Sequence, residues 1–314
     1  MSDLEPGVTV VIPAYNSEET LGDLVARLDR VLPAAAGREV IIVDDCSRDG
    51  TWQTIERITR EFTWVRGVTL RRNYGQHNAL LCGIRLARHE VIVTIDDDLQ
   101  NPPEEIPKLL AALDHADVVY GKPLTEQHGI ARNLASRVTK LALRAAMGAA
   151  NATDVSAFRA FRTPVRDGFA GYQGTYVSID PMLTWATVRF AAVPVRREPR
   201  TIGRSNYSVR KLVVHALNLI TTFSAWPLQV ASVMGFGFTV FGLLTLVYVL
   251  GRYLLSGTSV PGFPFLASII AIFSGAQLFS LGIIGEYLAR IHSQSLTRPP
   301  YVVRETTPEP ASPA

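Results

Sequence analysis

The chain has 314 residues, 47% of them hydrophobic, and its 31 Lys and Arg against 28 Asp and Glu give a formal net charge of +3. That length accommodates one soluble domain of ordinary size together with a membrane segment. The first two thirds carry no basic stripe interleaved with aromatic residues, which argues against a nucleic-acid partner. Cys46 and Cys82 lack CxxC spacing, which argues against a zinc site and a disulfide framework.

Short apolar runs alternate with segments of helical character along the first 120 residues. The runs lie at 8–12, 40–43, 65–70, 91–95 and 117–120. Their alternation predicts an α/β fold with βαβ units and a mostly parallel sheet. The first helix is predicted to begin near Ser17, with Glu18 and Glu19 in its first turn, and to end before Pro33. The first run is too short for a secretory signal peptide, so we expect a cytoplasmic domain.

Acidic residues follow two of the predicted strands. Two lie at 44–45, after the second strand, and three lie at 96–98, after the fourth. Ligands bind at the carboxyl ends of strands in open parallel sheets, so these residues mark a possible site. Asp96, Asp98 and Gln100 offer oxygen ligands suited to Mg²⁺ or Mn²⁺, which would bridge the two phosphates of a nucleotide sugar. A solvated loop or a helix N-cap is the alternative interpretation.

Two long apolar stretches dominate the last third of the chain. Residues 227–251 and 264–286 are each long enough, at about 1.5 Å per residue, to cross a hydrocarbon core of roughly 30 Å. Arg252 is the only charged residue of the loop between them, whereas both flanks are rich in Arg. The positive-inside rule therefore places both termini in the cytoplasm. The prediction is a protein of the inner (plasma) membrane, anchored by a two-helix transmembrane hairpin.

Two further segments are predicted to lie on the membrane surface. Residues 130–148 alternate apolar and basic side chains at helical spacing, as in an amphipathic helix on anionic lipid, although a solvated helix packed on the sheet explains the pattern equally well. Residues 211–226 form a predicted juxtamembrane helix. The resulting division is a cytoplasmic domain at 1–210 and a cytoplasmic tail at 287–314. From Thr306 the tail is rich in Pro, Ser and Thr and is predicted to be disordered.

Ordered motifs extend over nearly the whole chain and carry a family resemblance. They are VIPAYNSEETL, VDDCSRDGT, RRNYGQHNALLCGI, DDDLQNPPEEIP, ARNLASR, DVSAFRAFR, RTIGRSNYS and GEYLARI, followed by RPPYVV. The chain resembles glycosyltransferase family two, with its Rossmann-like GT-A fold, and within it the polyprenyl-phosphate glycosyltransferases. NYGQHNA and DLQNPPEEIP resemble the undecaprenyl-phosphate formamido-arabinose transferases in particular, and the bactoprenol glucosyltransferases and dolichol-phosphate mannose synthases are less similar.

The resemblance implies an activity and a set of site residues. The implied activity is inverting, metal-dependent transfer of a sugar from a nucleotide sugar, expected to be a UDP-sugar, to the phosphate of a polyprenyl phosphate. The implied assembly is a homo-oligomer, a tetramer in the family. The implied catalytic residues are Asp154 and Asp98, and the implied ligands of Mg²⁺ or Mn²⁺ are Asp96, Asp98 and Gln100. The implied nucleotide-binding residues are Pro13, Tyr15, Asp44, Asp45, Asn73, Gly75, Asp96 and Asp97. The implied phosphate- and acceptor-binding residues are Lys122, Arg132, Ser136, Arg200 and Ser205.

The sequence also departs from the family pattern. Ser17 stands where an acidic residue is usual, Cys46 where Gly is common, Lys122 where many relatives have Arg, and Asn206 where a Lys is usual. Asn206 removes a cation from the expected phosphate site, and Arg204 is a candidate to replace it. For any single Arg of the acceptor half, contact with the membrane surface is the alternative to phosphate binding.

Three other functions share features with this sequence. A processive polysaccharide synthase predicts more membrane spans and a QxxRW-like motif, and the sequence has neither. A mannose synthase that uses GDP-mannose is the main alternative. A non-catalytic membrane scaffold with a degenerate transferase domain conflicts with the intact DxDxQ run.

Overall fold

The computed structural model describes residues 7–32, 37–124, 155–174, 176–199, 221–256, 262–296 and 298–308. The predicted surface helix at 130–148 and the first ten residues of the predicted juxtamembrane helix lie outside these ranges. So do Asp154, Arg132, Ser136, Arg200 and Ser205, together with Arg204 and Asn206.

The strands are β1 Val8–Ala14, β2 Arg38–Asp44, β3 Val65–Leu70, β4 Val91–Thr94, β5 Val118–Pro123, β6 Arg159–Arg162, β7 Phe190–Val195 and β8 Val303–Thr306. The helices described are α1 Leu21–Val31, α2 Thr51–Glu61, α3 Gln76–Leu86, α4 Ile106–Ala112, α5 Thr163–Asp167, α6 Ile179–Leu183, α7 Trp226–Ser256 and α8 Phe263–Ser295. A short 3₁₀ turn, Pro103–Glu105, precedes α4.

The eight strands within the described residues belong to one sheet, in the order β7-β5-β6-β4-β1-β2-β3-β8. The pairs β1–β2, β1–β4, β2–β3 and β5–β7 are parallel. Strand β6 runs antiparallel to both of its neighbours, and β8 runs antiparallel to β3. The prediction of an α/β fold with a mostly parallel sheet is therefore confirmed.

Helices cover both faces of the sheet, so its central strands are buried along their whole length. In β1, Val10 and Ile12 pack in the cluster that contains the buried side of α1. Val11 points to the opposite face, where it packs in the cluster that contains α3. A Cβ at Gly83 of α3 would lie 2.4 Å from Val11 Cγ1, so glycine lets this helix approach the strand closely. Burial on both faces explains the continuous apolar runs by which the sequence predicts these strands.

The last two helices differ from the rest because their apolar side chains are exposed. Pro227–Arg252 and Ile272–His292 have mean hydropathies of 2.1 and 1.3 and are long enough to cross a membrane. Large side chains such as Leu243, Leu250 and Leu278 remain at least half exposed. Apolar surface of this extent needs a nonaqueous environment. The helices extend beyond the predicted spans, and α8 in particular continues to Ser295.

Two details differ from the sequence predictions. Helix α1 begins at Leu21 rather than near Ser17, and Asp23 is the acidic residue of its first turn. The predicted disorder from Thr306 is wrong at its start. Thr306 belongs to β8, and Thr307 is buried, with its Oγ1 accepting a hydrogen bond from the Gly67 amide at 2.8 Å.

Candidate active site

The carboxyl ends of β1, β2 and β4 form one wall of a cleft of about 350 Å³. The parallel register aligns Ala14 with Asp44 and Val11 with Thr94, so the residues after these strands emerge side by side. The cleft is lined by Pro13, Ala14, Tyr15, Asp45, Asn73, Gly75, Gln76, Asp96, Asp97 and Asp98. The structure thus brings together every predicted nucleotide-binding residue except Asp44.

Each of the three loops at this edge turns sharply at a residue with left-handed backbone. Asn16, Cys46 and Leu99 have φ values of 56°, 60° and 59°, and they are the non-glycine residues of positive φ in the described ranges. Such a conformation costs on the order of 1–3 kcal/mol and is concentrated at functional sites. Glycine would adopt the positive φ of Cys46 without a steric penalty.

Asp45 joins the end of β2 to the beginning of α3. Its two carboxylate oxygens accept hydrogen bonds from the backbone amides of Tyr74 and Gly75, each at 2.7 Å. Gly75 has φ 97°, a conformation that glycine adopts readily, and this turn directs the two amides at the carboxylate. Burial raises the pKa of Asp45, although the two amides oppose that effect. Asp45 therefore orders the Asn73 loop beside the cleft.

Asp44 does not reach the cleft. It is buried, and its oxygens accept hydrogen bonds from Thr69 Oγ1 at 2.7 Å and from the Ser47 amide at 3.0 Å. In this structure the side chain connects β2 to β3 and to the following loop, which is a structural role.

Asp97 holds the loop after β1. One of its oxygens accepts hydrogen bonds from the Tyr15 amide, at 3.3 Å, and from the Ser17 hydroxyl. The Ser17 oxygen in turn accepts from the Tyr15 amide at 3.2 Å. Burial raises the pKa of Asp97, and the Ser17 hydrogen bond opposes this. Ser17 thus pairs with a carboxylate contributed by the loop after β4.

Asp96 and Asp98 are the two predicted metal ligands that lie in the cleft. Oδ1 of Asp96 accepts a hydrogen bond from Gln76 Nε2 at 2.6 Å, and Oδ1 of Asp98 accepts from the Gln100 amide at 3.1 Å. Burial, followed by repulsion from Asp98 and Asp97, raises the pKa of Asp96 to about 7. Burial and repulsion thus disfavour the ionised form of this carboxyl group. A cation placed beside it would stabilise that form.

Gln100 has a different environment from the two aspartates. It does not line the cleft, and its side-chain oxygen accepts a hydrogen bond from Arg197. Within the described ranges, no three His, Cys, Asp or Glu side chains are grouped as a metal site. The arrangement does fit Mg²⁺ or Mn²⁺ held by Asp96 and Asp98, because Mg²⁺ commonly combines one or two carboxylates with substrate phosphates and water.

A buried ion pair lies beneath the acidic run. Arg159, on β6, is 1% exposed, forms an ion pair with Asp180 of α6 and donates from Nε to Thr94 Oγ1 at 3.1 Å. The hydroxyl of Tyr120 donates to the same Asp180 carboxylate at 3.2 Å. Arg159 also lowers the pKa of Asp96, against the larger effects that raise it. The network therefore fixes the end of β4 and places a positive charge near the acidic run.

Sequence reasoning missed Gln76 and Arg159. Gln76 is the first residue of α3, and its place after a glycine at a strand-to-helix turn was the available signal. Arg159 lies inside the DVSAFRAFR motif, but no sequence pattern indicated its burial. Lys122, predicted to bind phosphate, is exposed near the end of β5 and does not line the cleft.

Residues 9–165, half of the chain, match the sequence profile of Glycosyl transferase family 2, and the chain belongs to that family. It is therefore a glycosyltransferase. An undecaprenyl-phosphate 4-deoxy-4-formamido-L-arabinose transferase from Pseudomonas fluorescens (strain SBW25) is 33% identical, over 98% of this chain and 92% of the relative. A protein of the same name from Salmonella choleraesuis (strain SC-B67) is 31% identical, over 95% and 93%.

Among solved structures, the chain is similar to glucosyl-3-phosphoglycerate synthase from Mycobacterium tuberculosis, determined in complex with Mn²⁺, UDP and phosphoglyceric acid. The TM-score is 0.50 and the identity is 20%, over 69% of this chain and 77% of the other. This likeness agrees with the predicted GT-A fold.

Proposed function

We propose that this glycosyltransferase transfers a sugar from a UDP-sugar to the phosphate of a polyprenyl phosphate, at the cytoplasmic face of the plasma membrane. The observation that carries the proposal is the convergence of Asp45, Asp96, Asp97 and Asp98 on one cleft. It occurs in a chain similar to relatives named undecaprenyl-phosphate sugar transferases.

The charge of the cleft supports a divalent cation as part of this function. Carboxylates alone repel the diphosphate of a nucleotide sugar, whereas a bound cation reverses that interaction. We assign Asp96 and Asp98 to Mg²⁺ or Mn²⁺. The cation, when bound, offsets the charge that develops on the departing nucleoside diphosphate. Gln76 orients Asp96 through its hydrogen bond.

The same cleft also suits the nucleoside. The Tyr15 side chain is 43% exposed, and Pro13 lies beside it in the cleft wall. An exposed aromatic ring offers a flat apolar face to a base. Each oxygen of Asp45 can accept a second hydrogen bond from a base N–H, in addition to the backbone amide it already binds. We place the nucleoside between these residues and Asn73.

The acceptor side is proposed from the family motifs. A phosphate monoester has a second pKa of about 6 and is largely dianionic at neutral pH, so it attacks without a strong general base. Arg132 and Arg200 would bind phosphate oxygens, with Ser136, Ser205 and Lys122 nearby, because a guanidinium matches phosphate bidentately. Asp154 would stabilise the reacting anomeric carbon. One in-line displacement then inverts the configuration at that carbon.

The two apolar helices supply the membrane anchor of this proposal. Arginines flank the hairpin on both sides, which favours cytoplasmic termini and a cytoplasmic catalytic domain. An oligomer, a tetramer in the family, completes the proposed assembly. In spheroplasts, an impermeant thiol reagent should label a Ser259→Cys variant and spare a Ser312→Cys variant, and the reverse pattern would invert this topology.

The purified full chain provides the test of function. Release of nucleoside diphosphate from a panel of UDP-sugars should require polyprenyl phosphate and should not occur with the matched polyprenol, which lacks the phosphate. Equal release with polyprenol, or with water alone, would show that the phosphate is not the acceptor.

A further inference from the structure

A second cleft, of about 370 Å³, adjoins the candidate active site. Arg72, Asn73, Tyr74 and Asn78 form one wall, from the loop after β3 and the first turns of α3. Leu296, Arg298, Pro299 and Pro300 form the other, from the segment that follows α8. Asn73 also lines the active-site cleft, so the two clefts share a wall. We call the second one the basic cleft.

The basic cleft carries positive charge on both walls. Arg72 and Arg298 are exposed, and neither forms an ion pair with a carboxylate in the described part of the chain. The guanidinium of Arg72 stacks on the Tyr74 ring, 4.5 Å from its centroid, which restricts its position. Two guanidinium groups that face one cavity without a counter-ion are suited to a phosphate group.

Asn78 lines the cleft and fixes the loop that carries Arg72 and Tyr74. Asn78 is 8% exposed and donates from Nδ2 to the Tyr74 carbonyl at 2.7 Å. Its Oδ1 atom is buried and receives no hydrogen bond from the residues that the structure describes. Because that atom is buried, the contribution of Asn78 is to hold the Tyr74 loop against α3 through its Nδ2 hydrogen bond. The chemistry indicated by the two guanidinium groups is a phosphate ester.

The position of the cleft indicates where such an ester comes from. The apolar span of α8 ends at His292, and Leu296 follows the last residue of the helix. At about 1.5 Å per residue, Leu296 lies roughly 6 Å beyond the span, within the headgroup layer of a bilayer. Leu296 is 47% exposed and adds an apolar edge to the wall that bears Arg298.

We propose that the basic cleft binds the headgroup of an anionic membrane phospholipid, with its phosphate between Arg72 and Arg298. The inference rests on the membrane placement given under the proposed function. The proposed function assigns the polyprenyl phosphate to Arg132 and Arg200, so a phospholipid of the surrounding bilayer is the phosphate ester left for this cleft. Asn73 lines both clefts, so the bound lipid restrains the loop after β3, which also lines the donor site. Membrane binding is thereby linked to the conformation of that loop.

The test uses the full chain, delipidated in detergent, with phosphatidylglycerol as probe and native mass spectrometry as readout. The variant Arg72→Gln/Arg298→Gln removes both guanidinium groups from the cleft. The control Arg60→Gln/Arg304→Gln removes the same charge from two exposed positions outside it, on α2 and β8. We expect at least tenfold weaker binding of phosphatidylglycerol by the cleft variant, and binding by the control within twofold of the wild type.

Competition distinguishes the sources of phosphate. Inorganic phosphate at millimolar concentration should leave phosphatidylglycerol bound, and phosphatidylcholine should bind more weakly because its headgroup has no net negative charge. Displacement by inorganic phosphate, a cleft variant that loses polyprenyl phosphate but keeps phosphatidylglycerol, or equal losses in both double variants would overturn the proposal. UDP binding is measured on the same samples. A wild type that binds the lipid but no nucleotide would contradict the proposed function and leave this inference standing.

Discussion

The side-chain amide of Gln76 donates a hydrogen bond to the carboxylate of Asp96, with 2.6 Å between Nε2 and Oδ1. Gln76 begins α3, directly after Gly75, and Asp96 follows β4. The bond therefore crosses the candidate active site and joins the loop after β3 to the acidic run. Asp45 reinforces the same loop through the amides of Tyr74 and Gly75.

Replacing Gln76 with Ala should weaken the binding of Mn²⁺. The variant loses one hydrogen bond to a carboxylate, worth about 1 kcal/mol, and Asp96 loses its fixed orientation. We expect a three- to tenfold rise in the Kd of Mn²⁺, measured by calorimetry with UDP present. Gln53→Ala, an exposed position on α2, is the control. An unchanged Kd for Gln76→Ala would show that this hydrogen bond does not organise the metal site.

Asp98→Ala should abolish sugar transfer and leave the fold intact. The change removes one of the two carboxylates assigned to the cation, so we expect turnover to fall at least 100-fold, with an unchanged circular dichroism spectrum. Chelation of divalent cations should reduce the wild type to the same level. The exposed Asp114→Asn serves as control. Full activity of Asp98→Ala in chelator would contradict the assignment of Asp98 as a ligand of Mg²⁺ or Mn²⁺.

Asp96→Asn should stabilise the metal-free protein, and more so at alkaline pH. In the folded protein the pKa of Asp96 is about 7, above its ordinary value of 3.8. Between these two pH values the native state therefore keeps a proton on Asp96 that the unfolded chain has released. Wild-type stability therefore falls as pH rises from about 4 to about 7. Allowing for partial solvent exposure, we expect a gain of roughly 1–2 kcal/mol for the variant at pH 8.

Thermal unfolding in chelator, at pH 5 and pH 8, measures that gain. The difference in Tm between Asp96→Asn and the wild type should widen by a few degrees at pH 8. Added Mn²⁺ should narrow it, because the cation stabilises only the wild-type carboxylate. A difference that is the same at both pH values would contradict the raised pKa.

The donor is expected to carry uracil. This expectation rests on the motif resemblance, because a carboxylate such as that of Asp45 accepts the N–H of uracil or of guanine. With Mg²⁺ or Mn²⁺ present, UDP should bind at least tenfold more tightly than GDP, a difference of about 1.4 kcal/mol. Calorimetry that gives equal affinities, or a preference for GDP, would instead favour a mannose synthase that uses GDP-mannose.

Short sequence patterns correctly predicted the first five strands, the acidic edge of the sheet and the two long apolar helices. The first five strands are apolar runs because helices cover both faces of the sheet, and all five lie close to their predicted positions. The carboxylates of Asp45 and of the acidic run were expected at one edge because they follow parallel strands, and they meet there. The two long apolar helices were predicted from their uninterrupted apolar stretches.

Features that depend on distant residues were not predicted. Strands β6 and β8 are four residues each, and their pairing with β4 and β3 is set by tertiary contacts. Helix α1 begins late because Ser17 uses its hydroxyl on Asp97, 80 residues away, rather than as a helix cap. Asp44 and Asp45 are adjacent and chemically identical, and their roles differ because Thr69 and Ser47 bind the first whereas the amides of Tyr74 and Gly75 bind the second.

The mass of the lipid product tests the central claim most directly. The full chain is incubated with polyprenyl phosphate, Mg²⁺ or Mn²⁺ and a panel of UDP- and GDP-sugars, and the extracted lipid is examined by tandem mass spectrometry. A UDP-sugar should yield a lipid heavier by one glycosyl residue, with fragmentation that releases a sugar phosphate, and Asp98→Ala should yield none. Recovery of unmodified polyprenyl phosphate with every donor, from protein that binds UDP, would contradict the account.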